Sequence, residues 1–323
     1  MVKNFAVTGV AGFVAPRHLA AIRDTGNKLV AALDPSDSVG ILDQFSRDVR
    51  FFTEFERFDR YVDRLRRGPS DERVHYLSIC APNYLHDAHC RFALRLGADV
   101  ICEKPLVINP WNLDQLAALE QESGKRINTV LQLRLHPALM ALRERLQART
   151  DRLKPAVTLT YVTGRGRWYH VSWKGAEDKS GGVAANIGIH LFDLLIWLFG
   201  PVRHNRVFCR DRYRVSGHTE LARAHVTWFL SVAAEDLAGL SDATGRPSFR
   251  ALAIDDEQVE FSDGLADLHT RVYERVLAGC GFMIDDVRPS TELVHQIRTD
   301  RVVRPDDTAH PLLRNVLGES LQV

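Results

Sequence analysis

The first 130 residues alternate between short continuous apolar runs and longer helical patterns, and few folds accept that alternation. Runs rich in β-formers occur at Phe5–Thr8, Lys28–Leu33, Val74–Ile79, Asp99–Cys102 and Ile127–Leu131. Helical patterns lie between them at Arg17–Thr25, Glu54–Arg67, His86–Leu96 and Asn112–Ser123, with Gly26 and Gly97 placed as helix stops. Strands that are apolar throughout, rather than on alternate residues, suit a parallel sheet covered on both faces. The first stretch therefore reads as a doubly wound α/β domain with a parallel sheet.

The remainder follows another rule. A helix at Pro137–Ala148 and a strand at Val157–Val162 precede a loop rich in Arg, Trp and Tyr. An apolar helix then runs from about Asn186 to Phe199. Strand patterns follow without intervening helices at Asn205–Arg210, Ala222–Val232, Arg250–Ile254 and Gln258–Phe261, with a turn at Asp242–Pro247. Such a run predicts an open, mainly antiparallel sheet. Helices at Leu265–Ala278 and Thr291–Arg301 close the chain. The expected division is residues 1–130 and 131–323, and the length of 323 residues agrees with two domains.

Composition limits the partners. The chain is 45% hydrophobic and 26% charged, with a net charge of +1. No charge excess calls for nucleic acid or a membrane surface. Arg64–Arg67 sits among acids and reads as a solvated helix face. Five scattered cysteines lack metal or redox spacing and read as buried reduced thiols in a cytoplasmic protein, with no metal site expected. Lys3 followed by the apolar run Phe5–Ala15 imitates a signal peptide, but its glycines fit a strand–turn–helix better. Ile187–Phe199 is too short to span a bilayer and contains His and Asp.

Three regions offer chemistry. Gly9-Val-Ala-Gly12-Phe13-Val-Ala15 follows the first strand and opens the first helix, where backbone N–H groups and the helix dipole favour a pyrophosphate. Asp34 ends the second strand; it either accepts the two hydroxyls of an adenosine ribose, favouring NAD over NADP, or caps the turn before Pro35. Ala81-Pro82-Asn83, with His86, and Glu103-Lys104-Pro105 end two further strands, the edge of a parallel sheet at which ligands bind. In the second half, Asn186, His190 and Asp193 fall i, i+4, i+7 on an otherwise apolar helix. A buried polar group without a partner costs a few kcal/mol, so this stripe needs a polar segment or a bound substrate to meet.

Together, Gly9–Ala15, Asp34, Ala81–Asn83, Glu103–Pro105, Gly181-Gly182, His190 and Asp193 resemble the Gfo/Idh/MocA oxidoreductase superfamily over essentially the whole chain. The resemblance implies an N-terminal Rossmann domain and a C-terminal α/β domain whose open sheet often mediates homodimers or homotetramers. Longer runs are similar to one subfamily: Ala31–Pro35, Phe51–Asp59, Pro82–Asp87, Gln132–Pro137 and Trp168–Gly175. Its bacterial members oxidise the C3 hydroxyl of UDP-N-acetyl-glucosaminuronate with NAD, on the way to a diacetylated amino-uronic acid of O-antigen lipopolysaccharide. Some relatives discharge the hydride onto 2-oxoglutarate. One departure is Asn186, where many superfamily members carry an acid; Asn accepts no proton.

On this reading NAD is bound by Gly9, Gly12, Phe13, Asp34, Pro82, Asn83, His86, Glu103 and Lys104. The substrate is bound by Lys104, Arg165, Trp168, Tyr169, Lys174, Asn186 and His190. Two roles remain open for Lys104 and His190. Imidazole titrates near 6.5, which suits His190 as the base, with an ammonium at Lys104 stabilising the developing alkoxide; the swapped assignment needs a lysine lowered from about 10.4. Arg165–Lys174 supplies cations and aromatics for a carboxylate, a pyrophosphate and a base, or forms a solvated loop. Arg134 and His136 are further candidates, and Asp193 orients a ring nitrogen or caps a polar cluster. A dehydrogenase for a free sugar or cyclitol and a non-catalytic NAD-binding regulator are the rival functions.

Overall fold

The computed structural model describes residues 1–149, 153–238, 240, 248–255, 257–259, 261 and 267–318. They divide into two compact units. One is residues 1–135 joined by the described part of 266–288; the other is the described part of 136–265 and 289–323.

In the first unit six strands form one sheet: β1 (Asn4–Thr8), β2 (Lys28–Leu33), β3 (Arg50–Phe52), β4 (Tyr76–Ile79), β5 (Asp99–Cys102) and β6 (Ile127–Thr129). The order is β3-β2-β1-β4-β5-β6 and every pairing is parallel. This is the dinucleotide-binding order, with its switch point between β1 and β4. All five residues of β1 are buried, as a central strand covered on both faces requires. The connecting helices are α1 (Ala15–Asp24), α2 (Phe55–Arg67), α3 (His86–Leu96) and α4 (Trp111–Ser123). Gly97, at φ 81°, ends α3 in the left-handed conformation expected at a helix stop. The strand β3 has no counterpart among the apolar runs because it is short and lies at the sheet edge, with Arg50 exposed and Phe51 and Phe52 only half-buried.

The second unit opens with α5 (Pro137–Ala148) and β7 (Ala156–Thr163). The segment expected as a loop instead contains a short helix, α6 (Arg167–Val171), and a 3-10 turn at Trp173–Gly175. A further short helix, α7 (Glu177–Ser180), leads to a π-helical turn at Ala184–Gly188 and then α8 (Ile189–Phe199). Asn186 thus lies in the π turn rather than in the α-helix predicted from the apolar run. The run Glu177–Phe199 is the one stretch among the described residues long and apolar enough to cross a membrane, but 72% of its apolar window is buried in the fold. Leu191, Phe192, Leu194, Leu195, Leu198 and Phe199 of α8 are all buried; burying such a side chain contributes about 1.5–3 kcal/mol.

Strands β8 (Val202–Arg210), β9 (Arg214–Leu221), β10 (Ala224–Ser231), β11 (Ser248–Ile254) and β12 (Glu257–Gln258) complete the second sheet, in the order β12-β11-β7-β10-β9-β8. Only β7 and β10 pair in parallel, so the sheet is mixed and mainly antiparallel. The apolar run starting at Ala222 accounts for β10, while β9 carries Ser216, Gly217 and Thr219 inside and gave no apolar signal. The turn expected at Asp242–Pro247 lies outside the described residues. One face of this sheet packs Val162, Phe208 and Phe229 against Leu313, a residue of the last helix (Pro311–Gly318). On the opposite face Gly188 and Phe192 meet Leu230 and Trp228.

Chain order and packing part company near the C-terminus. The next helix in sequence, α9 (Leu268–Leu277), packs against α1 and belongs to the first unit, as does the start of α10 (Ile284–Thr299). A boundary near residue 130 therefore misses both the extension to Leu135 and the return of 266–288. The last helix, α11 (Pro311–Gly318), completes the second unit. Of the cysteines, Cys80, Cys90 and Cys102 are buried and Cys280 is exposed, so not every thiol is a core group. Burial raises the Cys80 and Cys102 thiols well above their ordinary value, which leaves them unreactive.

Candidate active site

The first unit carries its candidate residues at the carboxyl ends of β1, β2, β4 and β5. Gly9 follows β1 with φ 78°, and a Cβ there would stand 2.5 Å from the carbonyl oxygen of Cys80. No side chain fits, so the backbone of this turn stays bare where a pyrophosphate needs close approach. The Gly12 N–H donates to the Gly9 carbonyl, and α1 begins three residues on. Phe13 is 89% exposed at the turn. One Asp34 carboxylate oxygen accepts the Ala11 N–H at 3.0 Å and the other accepts the Ser36 N–H at 2.9 Å. Asp34 therefore ties the end of β2 to the glycine turn. Each oxygen keeps a further lone pair for a ribose hydroxyl, so the cradle and its acid fit NAD.

His86 and Glu103, expected at the cofactor, have partners within the protein. Both nitrogens of buried His86 lie 2.7 Å from carbonyl oxygens, those of Pro105 and Ala81. The ring fastens the segment after β5 to the segment after β4, flanking Pro82 and the buried Asn83. One oxygen of Glu103 accepts N–H bonds from His18 on α1 and His269 on α9, each at 3.0 Å. The other accepts the Lys104 N–H at 3.3 Å. The second nitrogen of His18 lies 2.8 Å from the Tyr273 hydroxyl, which lies 2.6 Å from Ser78 on β4.

Charges in this buried chain are set by competing effects. Burial pushes the Glu103 carboxyl up, but the hydrogen bonds from His18 and His269 outweigh it and hold it well below the usual range. Burial lowers His18 and raises Tyr273. A carboxylate thus faces a neutral His18 ring, with the phenol proton available to that ring. These groups lock the peptide of half-buried Lys104, which precedes a cis bond to Pro105. Sequence reasoning missed His18, His269 and Tyr273. His269 and Tyr273 share one face of α9, but 166 residues separate His269 from Glu103 and no local signal joins them. Replacing His269 with Ala is expected to lower the unfolding free energy by about 2 kcal/mol, the usual contribution of a hydrogen bond to a charged group; urea denaturation measures it, and an unchanged midpoint would show the network to be unimportant for the fold.

The second unit gathers Tyr161, Arg165, Tyr169, Asn186 and His190 around the π turn. The Asn186 amide donates to the Tyr169 hydroxyl at 3.0 Å. Burial raises the Tyr169 phenol, and Arg165 is close enough to pull it down. The His190 ring meets Tyr161 edge-on, with centroids 6.2 Å apart. The polar stripe thus faces two tyrosines, one from β7 and one from α6. Asn186 and His190 are half-buried and Asp193 is buried, so Asp193 lies deepest. A π turn widens the helix locally and often marks a functional position; here it shifts Asn186 out of strict α spacing.

Within Arg165–Lys174 the residues divide. Tyr169 is buried, Arg165, Arg167 and Trp168 are exposed, and the Lys174 ammonium lies 5.4 Å from the Trp168 ring and 5.3 Å from the Trp173 ring. The aromatic faces are partly taken up by this cation. Arg134 is buried and donates to the Asp286 side chain at 3.0 Å and to its backbone carbonyl at 2.9 Å. It braces the start of α10 in the first unit, so part of its fork is engaged within the protein. His136 is buried in the second unit, edge-on to Phe261.

Comparison with known proteins agrees with this architecture. Residues 3–130 match the oxidoreductase family model with an NAD-binding Rossmann fold, and residues 155–238 match that family's C-terminal alpha/beta domain. The WlbA (WbpB) dehydrogenase of Thermus thermophilus, solved with NAD and UDP-GlcNAcA, is 47% identical. It superposes with a TM-score of 0.91 over 96% of this chain and 99% of its own. The same dehydrogenase with NAD and alpha-ketoglutarate gives 47% and 0.90. Matches to three curated relatives span only 35–37% of those proteins; among them is the D-glucoside 3-dehydrogenase of Escherichia coli, 27% identical over 127 residues, or 38% of this chain. With an NAD-type Rossmann unit, its partner α/β unit and a 47% identical relative matched end to end, this chain belongs to the Gfo/Idh/MocA oxidoreductase family.

Proposed function

We propose that this protein oxidises the C3 hydroxyl of UDP-N-acetyl-glucosaminuronate to the 3-keto sugar, using NAD, and passes the hydride on to 2-oxoglutarate. The observation that carries this reading is the 47% identity, across 96% of the chain, to a dehydrogenase solved with NAD and UDP-GlcNAcA and also with NAD and alpha-ketoglutarate. The keto sugar then feeds transamination toward a diacetylated amino-uronic acid of lipopolysaccharide O-antigen. The setting is cytoplasmic and the protein a homodimer or homotetramer, with neither membrane nor nucleic acid as partner.

NAD supplies the hydride acceptor and is held by the glycine turn Gly9–Gly12, Phe13, Asp34 and the segment around Pro82 and Asn83. The remaining chemistry belongs to side chains. His190 takes the hydroxyl proton as the C3 hydride departs, because imidazole titrates near working pH. Lys104, its peptide fixed by Glu103, supports the developing alkoxide as a cation. Asn186 has no proton to exchange and, with Tyr169, orients the sugar. Arg165, Trp168 and Lys174 serve the nucleotide, as cations for the pyrophosphate and an aromatic face for uracil.

Incubation with NAD, UDP-N-acetyl-glucosaminuronate and 2-oxoglutarate is the test. A keto sugar two hydrogens lighter than the substrate, formed together with 2-hydroxyglutarate, is the expected outcome. An unchanged sugar nucleotide under these conditions rules the assignment out. Release of NADH alone is a poor readout, since a cofactor re-oxidised in place leaves no signal.

A further inference from the structure

The face of the second sheet that meets His190 also carries a cation with no role so far. Arg250 on β11 sits directly opposite Tyr161 on β7, so the two side chains leave the same face. Its guanidinium carbon lies 5.1 Å from the centre of the Tyr161 ring and 5.7 Å from that of Phe261. Tyr161 is the ring that His190 meets edge-on. Arg250 and His190 therefore flank one aromatic side chain.

Arg250 is half-buried, and its Nε is fully shielded with no hydrogen-bond partner. Among the described residues it makes no ion pair; Arg214 of the same unit, by contrast, is held by Asp236 and Glu235. A guanidinium stays charged at any working pH, and an unpaired N–H shielded from water is unfavourable. Stacking on two rings offsets part of this cost and fixes the plane of the fork. The two Nη groups present parallel N–H donors that a carboxylate accepts with both oxygens. Arg143 also has an unpaired Nε, but it stacks on Trp197, seven positions along the helix from His190.

We infer that Arg250 is the residue that grips the ligand's carboxylate, through its two Nη–H groups, and so selects a uronate over the corresponding neutral sugar. The inference rests on the proposed uronate substrate. It also assigns the exposed Arg165 and Arg167, with half-buried Lys174, to the pyrophosphate and the aromatic-walled Arg250 to the smaller anion on the sugar. A 2-oxoglutarate carboxylate presents the same two oxygens, so Arg250 serves the hydride acceptor too if both ligands use this face.

The test compares wild type, Arg250→Gln and Arg250→Lys on UDP-N-acetyl-glucosaminuronate, on UDP-N-acetylglucosamine, which keeps the pyrophosphate but has no carboxylate, and on 2-oxoglutarate. For the uronate, KM or calorimetric Kd rises about 10- to 100-fold in Arg250→Gln, the range of a charge-assisted hydrogen-bond pair. Arg250→Lys keeps the charge without the fork and shows a smaller rise; it guards against a variant that fails to fold. Binding of UDP-N-acetylglucosamine is the same in all three proteins. A parallel rise for 2-oxoglutarate identifies it as a second ligand of the same fork. Equal losses on both sugar nucleotides would mean a phosphate contact, and no loss on either carboxylate ligand would mean no contact; each overturns the inference. A wild-type protein that neither turns over nor binds the uronate would instead defeat the proposed function.

Discussion

Replacing His190 with Ala is expected to lower kcat by about 10²- to 10⁴-fold, the range for loss of a positioned acid–base group. KM should change far less, because the ring's task is confined to the transition state. Lys104→Ala should also reduce kcat strongly, by removing the cation beside the developing alkoxide. The two variants separate the roles by pH. If His190 is the base, Lys104→Ala keeps a rate that rises as an imidazole loses its proton, and His190→Ala loses that limb. The reverse pattern would assign the proton to Lys104. Steady-state rates between pH 5.5 and 9 decide this. Rates unaffected by either change would favour a non-catalytic, NAD-binding role on the same scaffold.

Mild acid is expected to destabilise both units, through His89 and His310. Burial lowers each from 6.5 to about 4; His86 adds to the effect at His89. His89 sits 2.9 Å from the Thr8 hydroxyl, and His310 sits 2.9 Å from that of Thr160. A histidine neutral in the fold but chargeable in the unfolded chain contributes fully above about pH 6.5. That contribution declines as pH falls toward the folded value. At pH 5 each group has lost about 2 kcal/mol, a large share of a typical domain's stability. Glu103 adds to the same trend at lower pH: its lowered value stabilises the fold above the ordinary carboxylate range, and that stabilisation is lost as pH falls below it. Urea unfolding at pH 7 and pH 5, followed by a probe in each unit, should show the loss. Equal stabilities would contradict the burial assigned to these rings.

The first unit was legible because its signals are local. Continuous apolar strands, helix stops at Gly26 and Gly97, and the turn after β1 each follow from a few neighbouring residues. What escaped depended on distance along the chain. Nothing near Leu268–Leu277 indicates that this helix packs on α1, and nothing near Glu103 indicates the two histidines that hold it. Glu103 in Glu103-Lys104-Pro105 reads as a cofactor ligand because strand ends bind ligands; within the protein it also holds the lysine's peptide. The stripe Asn186, His190, Asp193 calls for polar company, and Asn186 meets the Tyr169 hydroxyl while His190 meets the Tyr161 ring. The π turn beneath Asn186 was invisible, since a run apolar on nearly every side hides the phase shift that an extra residue causes. Arg250 was read only as the start of a strand, and its meaning emerges from the register that sets it opposite Tyr161.

The central claim, that a hydride leaves C3 of the uronate and ends on 2-oxoglutarate, is tested most directly by isotope. UDP-N-acetyl-glucosaminuronate deuterated at C3 should yield 2-hydroxyglutarate carrying deuterium at C2, alongside an unlabelled 3-keto sugar. Unlabelled 2-hydroxyglutarate, or a keto sugar that retains its C3 deuterium, would contradict it.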